Sequence, residues 1–234
     1  VTNTPRNGRK RRFGFDSAAE LKILVSKEKE EGSREEKGHG RLTAAEHAEL
    51  EEPAPEKPKA GRIIRIPTAG DGVAIHDLIR ACPPLDLNSL YCNLLQCTHF
   101  ASTCAVALDA EDGESVVGWL SGYRPPSDPE MLFVWQVAVA PSARRSGLAI
   151  RLLEDILERE SCRGVVRVGA SVTATNVASL GFFERFASRH GSGVQIAPWL
   201  DEAEAFQSRH DSEWSIRIED IQAMDRPPIQ LGHS

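Results

Sequence analysis

The stretch Val137–Ala149 reads Val-Ala-Val-Ala-Pro-Ser-Ala-Arg-Arg-Ser-Gly-Leu-Ala. An apolar strand runs into a proline, then into a short basic turn holding one glycine, then into an amphipathic helix. Arg144, Gly147 and Ala149 stand in an Arg-x-x-Gly-x-Ala spacing. A strand feeding such a turn aims successive backbone N–H groups and the positive end of a helix dipole at one point, and that point suits a pyrophosphate. Gly147 lets the backbone approach phosphate oxygens with no Cβ in the way, and Ala149 keeps the first helical turn slim. An ordinary surface turn is the alternative, so the meaning of the motif depends on the elements around it.

Those elements begin at Arg62. Arg62–Ile66 reads as a first strand, which Pro67 breaks. Thr68 or Asp71 can cap a helix with Ala74, Ile75, Leu78, Ile79 and Ala81 inward, and Pro83-Pro84 ends it. Asn88 or Ser89 opens a second helix, with Leu90, Tyr91, Leu94, Leu95 and Thr98 at helical spacing. Thr103–Leu108 and Val116–Tyr123 form a hairpin around a turn with Gly113 at its tip. Met131–Val139 is too apolar on both faces for an exposed edge strand. The helix after the basic turn has Ala149, Leu152, Leu153, Ile156 and Leu157 on its inner face. Its outer face carries Arg151, Glu154, Asp155, Glu158 and Arg159. Val165–Val172 is a strand, Asn176–His190 a helix with Leu180, Phe183 and Ala187 inward, and Val194–Trp199 and Trp214–Ile218 are extended. The order β-α-α-β-β-β-α-β-α-β-β is neither a βαβ alternation nor an all-β run, which makes the fold class α+β.

Three regions follow from composition. Residues 1–61 mix 13 Lys/Arg with 12 Asp/Glu, hold Phe13 and Phe15 as their aromatics, and end in a proline-rich stretch. They read as a charged extension and linker, with a short helix near Ala18–Lys29 and a solvated basic cluster at Arg9–Arg12. Residues 62–220 form the domain, and 221–234 a loose tail. The net charge of −6 argues against nucleic acid as the main partner. No apolar run reaches the roughly 20 residues that span a bilayer, so no membrane partner is expected and the cytosol is the expected compartment. The five cysteines, Cys82, Cys92, Cys97, Cys104 and Cys162, have no short repeated spacing. Cys92 and Cys97 would lie about 140° apart on a helix, so small buried thiols are expected rather than a metal site.

The Arg-x-x-Gly-x-Ala turn resembles the acetyl-CoA loop of the GCN5-related N-acetyltransferases, and the element order resembles their fold. That resemblance implies a mixed, twisted sheet flanked by helices, whose two central strands splay apart to admit acetyl-CoA. Three further segments, Cys82–Tyr91, Ser121–Pro126 and Leu132–Val137, are similar to the L-2,4-diaminobutyrate acetyltransferases of ectoine biosynthesis. The resemblance covers about residues 62–219. It implies acetyl transfer from acetyl-CoA to the 4-amino group of L-2,4-diaminobutyrate, and it suggests a homodimer. Another amine acceptor remains open, as does an acetyl-CoA-binding protein without turnover.

Site residues follow from the resemblance, most with a plainer role beside the functional one. Gln136, Val137, Ala138 and Val139 are assigned to thioester and pantetheine contact through the main chain, alongside ordinary strand packing. Arg144, Arg145, Ser146, Gly147, Leu148 and Ala149 form the pyrophosphate loop. Asn176, with Ser179 one turn on, meets the pantetheine arm or caps its helix. Asp86, Asn88 and Tyr91 belong to the amine pocket, where Asp86 pairs with an ammonium or caps the second helix. Trp135 walls the pocket or fills the core. His210 and Glu213 bind substrate or move a proton, or sit in a polar loop. Arg124 takes the substrate carboxylate or caps the hairpin edge. Catalytic roles fall to Asp86, Tyr91, His210 and Glu213. Many family members carry a tyrosine acid where this chain has Phe183, so that role has no owner here. A thiol pKa near 8.5 makes the thiolate a tolerable leaving group without it.

Overall fold

The computed structural model describes residues 62–221, so the expectations for 1–61 and for the tail beyond 221 fall outside the described residues. Seven strands form one sheet in the order β1-β2-β3-β4-β5-β7-β6. They are β1 (Ile63–Arg65), β2 (Ala105–Leu108), β3 (Val116–Tyr123), β4 (Met131–Val139), β5 (Arg167–Thr173), β6 (Val194–Leu200) and β7 (Glu213–Ile218). Among the described residues four helices accompany them: α1 (Gly72–Arg80), α2 (Leu90–Thr98), α3 (Leu148–Leu157) and α4 (Val177–Arg189). The element order is the one the sequence predicts, with short 3-10 turns added.

Alternation along the strands divides the interior in two. On β2, Ala105 and Ala107 join the core under α3 and α4, while Val106 and Leu108 join the core under α1. Gly118 on β3 has room for nothing larger: a Cβ there would stand 2.9 Å from Leu148 and 3.1 Å from Ala107. Leu148, Leu152, Leu153 and Ile156 of α3 are thereby drawn tight against the sheet.

Two irregularities in β4 shape the middle of the sheet. Beside β3, Ser121 pairs with Gln136 and Gly122 with Val134, so Trp135 is an extra, bulged residue. The bulge re-phases the strand. Leu132 and Val134 lie in the core under α3 and α4, and Val137 and Val139 pack against that same core, while Ala138 lies in the core under α1. Beside β5, the parallel pairing covers only Met131–Val134 against Arg167–Ala170. Beyond that point β4 pairs with β3 alone and β5 with β7 alone, so the two central strands part.

Several faces differ from the expectation. Ala74 and Ala81 are exposed, and Ile75, Leu78 and Ile79 carry the inner face of α1. On α2 the buried residues are Asn93, Gln96 and Cys97, whereas Leu90 and Tyr91 face solvent and Leu94 and Leu95 are half-buried. The polar face is buried because its groups bond one another. Asn93 Nδ2 donates to Gln96 Oε1 at 3.1 Å, and His76 Nδ1 of α1 lies 3.1 Å from Asn93 Oδ1. Glu154, expected outside, is buried on α3 because Arg189 Nε of α4 reaches its Oε1 at 2.7 Å. Arg159 is likewise covered, donating to the Cys104 carbonyl at 2.6 Å. Burial pushes the Cys104 thiol up to about 12 and Cys97 up to about 11, so neither supplies a thiolate nucleophile.

Candidate active site

Where β4 and β5 part, a cleft of about 530 Å³ opens. Its floor is β4 from Val134 to Val137 and β5 from Ala170 to Thr173. One wall is the loop before α2, with Asp86 and Asn88. Another is the start of α4, with Asn176, Ser179 and Phe183, and a third is the segment entering β7, with His210, Asp211 and Glu213. Residues far apart in sequence thus converge where backbone groups are left without a partner strand.

Outside the residues that line the cleft, the basic turn follows β4. Arg145 (φ 61°) and Gly147 (φ 73°) both take left-handed backbone ahead of α3. Gly147 is the residue that precedes the helix, and a Cβ on it would meet nothing within 4 Å, so the turn faces open space. Ser146 Oγ donates to the Ala143 carbonyl at 2.7 Å and accepts from Arg62 Nη1 at 2.7 Å. Arg62, which sequence reasoning did not connect with the turn, adds a guanidinium beside Arg144 and Arg145. No signal in a residue 84 positions away could have shown it. Arg144 folds back, its Nε donating to the Val139 carbonyl at 3.2 Å. Leu148 is buried and Ala149 half-buried, as the first turn of a packed helix requires. Alternating handedness before a helix N-terminus presents N–H groups to an anion, so these residues fit a pyrophosphate.

Further in, Asn176 both lines the cleft and caps α4, its Oδ1 accepting the Ser179 N–H at 3.1 Å. The two roles coexist. Phe183 lies one turn beyond Ser179 on the cleft side of α4 and carries no proton to give.

Across the cleft, the charged side chains gather around His210. Its Nε2 lies 3.4 Å from Asp86 Oδ2 and 3.9 Å from Glu213 Oε1. Its Nδ1 donates to the Asp211 carbonyl at 2.7 Å, which fixes the tautomer, and Phe206 stacks on the ring at 4.7 Å. The Asp211 carbonyl, with help from the two carboxylates, raises the His210 pKa against the opposing effect of burial. Glu213 is largely buried, with Oε2 lacking a hydrogen-bond partner among the described residues. Burial pushes its carboxyl up, and the Ser171 hydroxyl and His210 offset part of that rise. Trp135 is 46% exposed and edge-on to Tyr123 at 6.2 Å, so it walls the cleft instead of filling the core.

Three assignments change. Asp86 is not a helix cap: Ser89 Oγ takes the Cys92 N–H at 3.1 Å and does that work. Tyr91 is 69% exposed on α2 and does not line the cleft, because α2 turns its polar face inward. Arg124 does not line it either. Its Nε donates to the Pro129 carbonyl at 2.6 Å and its Nη1 to the Ser161 carbonyl at 2.9 Å, which commits it to holding two loops. Gln136, assigned through its main chain, also reaches Asp86 and Asn88 with its side chain.

The acetyltransferase (GNAT) family model matches residues 73–187. The L-2,4-diaminobutyric acid acetyltransferase of Vibrio parahaemolyticus is 42% identical over 163 residues, 70% of this chain and 88% of that protein. The protein of the same name from Chromohalobacter salexigens is 43% identical over 155 residues, 66% of this chain and 79% of that protein. A solved diaminobutyrate acetyltransferase from Paenibacillus lautus, in complex with L-2,4-diaminobutyric acid and coenzyme A, is 34% identical and superposes with a TM-score of 0.63. It covers 69% of this chain and 96% of its own. With the parted strands, the basic turn and the acceptor cleft in one frame, the chain belongs to the L-2,4-diaminobutyric acid acetyltransferase family of GNAT-fold enzymes.

Proposed function

We propose that this protein transfers the acetyl group of acetyl-CoA to the 4-amino group of L-2,4-diaminobutyrate, releasing CoA and N4-acetyl-L-2,4-diaminobutyrate for the synthesis of ectoine. The observation that carries the reading is the meeting of two features in one cleft: the unpaired edge of β4 and the buried carboxyl of Glu213. The first suits a thioester, the second an ammonium. Membership of a family whose relatives bear that name supports the choice of acceptor.

An amine with a pKa near 10 is mostly protonated at neutral pH and must lose a proton before it can attack. Asp86 offers an exposed carboxylate that attracts the ammonium, and Trp135 gives it an aromatic wall. Glu213 accepts the proton. Burial raises its pKa, which makes it a stronger base than an ordinary glutamate. When protonated, His210 draws both carboxylates toward its Nε2, Asp86 at 3.4 Å and Glu213 at 3.9 Å. The β4 N–H groups that are not given to β3 point into the parting and stabilise the oxyanion that develops on the thioester carbonyl. As the tetrahedral intermediate collapses, the C–S bond breaks, the nitrogen gives its second proton to solvent, and the departing thiolate takes one from solvent, since Phe183 has none to give. Direct transfer in a ternary complex fits the absence of a thiolate at Cys97 and Cys104.

Thiol release from acetyl-CoA with a panel of diamines tests the acceptor. Diaminobutyrate is expected to outpace lysine, ornithine and putrescine, with acetylation at the 4-nitrogen by NMR. Equal turnover across the panel would refute the assignment. The homodimer the family resemblance suggests belongs to the same reading, and sedimentation of the purified protein tests it.

A further inference from the structure

Gln136 is almost fully buried, and its two ends point at one loop. Its Nε2 donates to the Asp86 carbonyl at 2.8 Å. Its Oε1 accepts from Asn88 Nδ2 at 3.3 Å. The orientation is forced: a carbonyl can only accept, so a flipped amide would set oxygen against oxygen. Among the described residues, Asp86, Leu87 and Asn88 make no backbone–backbone hydrogen bond. The side chain of Gln136 is therefore the polar hold of the sheet on this loop. Its own backbone follows the bulge at Trp135, on the stretch of β4 that has left β5.

We infer that Gln136 is a positioning residue that sets the acceptor loop against the donor strand. Its main chain stands on the thioester side and its amide carries Asp86, so one side chain fixes how far the amine lies from the acetyl carbonyl. This rests on the acetyl-transfer reading above, but it concerns a different relationship. A tether of this kind acts on the alignment of two substrates and leaves the affinity for the pyrophosphate end alone.

Gln136→Leu keeps volume and removes both bonds. It is expected to lower kcat/KM for diaminobutyrate by about 10- to 100-fold while KM for acetyl-CoA stays within about twofold. Asn88→Ala, which cuts one of the two bonds, is expected to cost less. Its effect should largely vanish in the Gln136→Leu background, as coupled residues do in a double-mutant cycle. Gln136→Glu adds a readout that mere structural damage would not produce. A neutral carboxylic acid can donate to the Asp86 carbonyl and a carboxylate cannot, so its activity relative to wild type should rise as pH falls. Amide hydrogen exchange in Asp86–Ser89 should quicken in Gln136→Leu while β4 stays protected, whichever amine proves to be the substrate. Unchanged kcat/KM for the best acceptor together with unchanged exchange in this loop would overturn the inference. A loss confined to KM for acetyl-CoA would do the same. If Gln136→Leu does not fold, the Gln136→Glu pH ratio and the Asn88→Ala exchange decide. Wild type that prefers another diamine would sink the substrate reading and leave this one to be scored with that diamine.

Discussion

The Nε2 of His210 lies between two carboxylates of opposite character, the open Asp86 at 3.4 Å and the enclosed Glu213 at 3.9 Å. The exposed partner attracts a cation from solvent. The enclosed one holds its proton more tightly than glutamate usually does, because burial penalises its charge.

On the proposed mechanism, the acid limb of the pH profile belongs to Glu213. The base form is lost as pH falls through a pKa above the ordinary value of 4.5. Glu213→Gln should lower kcat by about 100- to 10,000-fold and flatten that limb. The sign for stability runs the other way. A carboxyl whose folded pKa is raised stabilises the fold when protonated and loses that contribution as pH rises, so Glu213→Gln should raise Tm at neutral pH. A variant that keeps both its rate and its acid limb would show that the proton goes elsewhere.

At the donor turn, Gly147 combines left-handed backbone with open space where a Cβ would stand. Gly147→Ala should cost about 1 kcal/mol of stability through backbone strain. Gly147→Glu adds bulk and a like charge beside the phosphates, and should raise KM for acetyl-CoA by at least about tenfold beyond the alanine variant. Similar KM values for the two variants would remove the pyrophosphate from this turn.

Asp71 joins β1 to α1 through a two-pronged pair: Arg65 Nη1 meets Oδ2 and Nη2 meets Oδ1, each at 2.8 Å, and the Thr68 N–H donates to Oδ2 at 2.7 Å. Arg65, above all, holds its pKa down at about 2. A depressed folded pKa stabilises above the unfolded value and is lost as pH falls between the two, here between about 4 and about 2. Asp71→Asn should therefore destabilise the protein by about 2 kcal/mol at pH 7 and by much less near pH 2, measured by urea unfolding.

The charged extension is expected to be separable from the domain. Deleting residues 1–60 should leave kcat, KM and Tm nearly unchanged. Loss of folding in the deletion would show that the extension is part of the domain.

Strand and helix order was legible because short apolar runs bounded by turn residues, such as Ala105–Leu108, differ from helical stripes such as Leu148–Ile156. The basic turn was legible because its spacing is local. Elements whose burial is decided by a partner were not. Asn93 goes inside because Gln96 and His76 pair with the two ends of its amide, and Glu154 because Arg189 and His190 arrive from another helix. In each case tertiary pairing overrides local polarity. Tyr91 was misplaced by the same reversal of α2. Arg124 was misplaced because two carbonyls, at Pro129 and Ser161, are brought to it by loops distant in sequence. The side chain of Gln136 was hidden for a similar reason: its partners lie some fifty residues upstream, at Asp86 and Asn88.

The bulge at Trp135 makes β4 a strand with two reading frames. Ahead of it, the even positions Leu132 and Val134 face α3 and α4. After it, the odd positions Val137 and Val139 take that face, and Gln136 and Ala138 turn toward the other. Substituting Trp135 changes the wall of the cleft but keeps the frame. Deleting it would leave Val134 and Gln136 as direct neighbours opposite Gly122 and Ser121, so the strand would alternate regularly with Leu132, Val134, Val137 and Val139 still on one face and Gln136 and Ala138 on the other. The extra residue is what lets the apolar positions of β4 change from even to odd along the chain without any of them leaving the core.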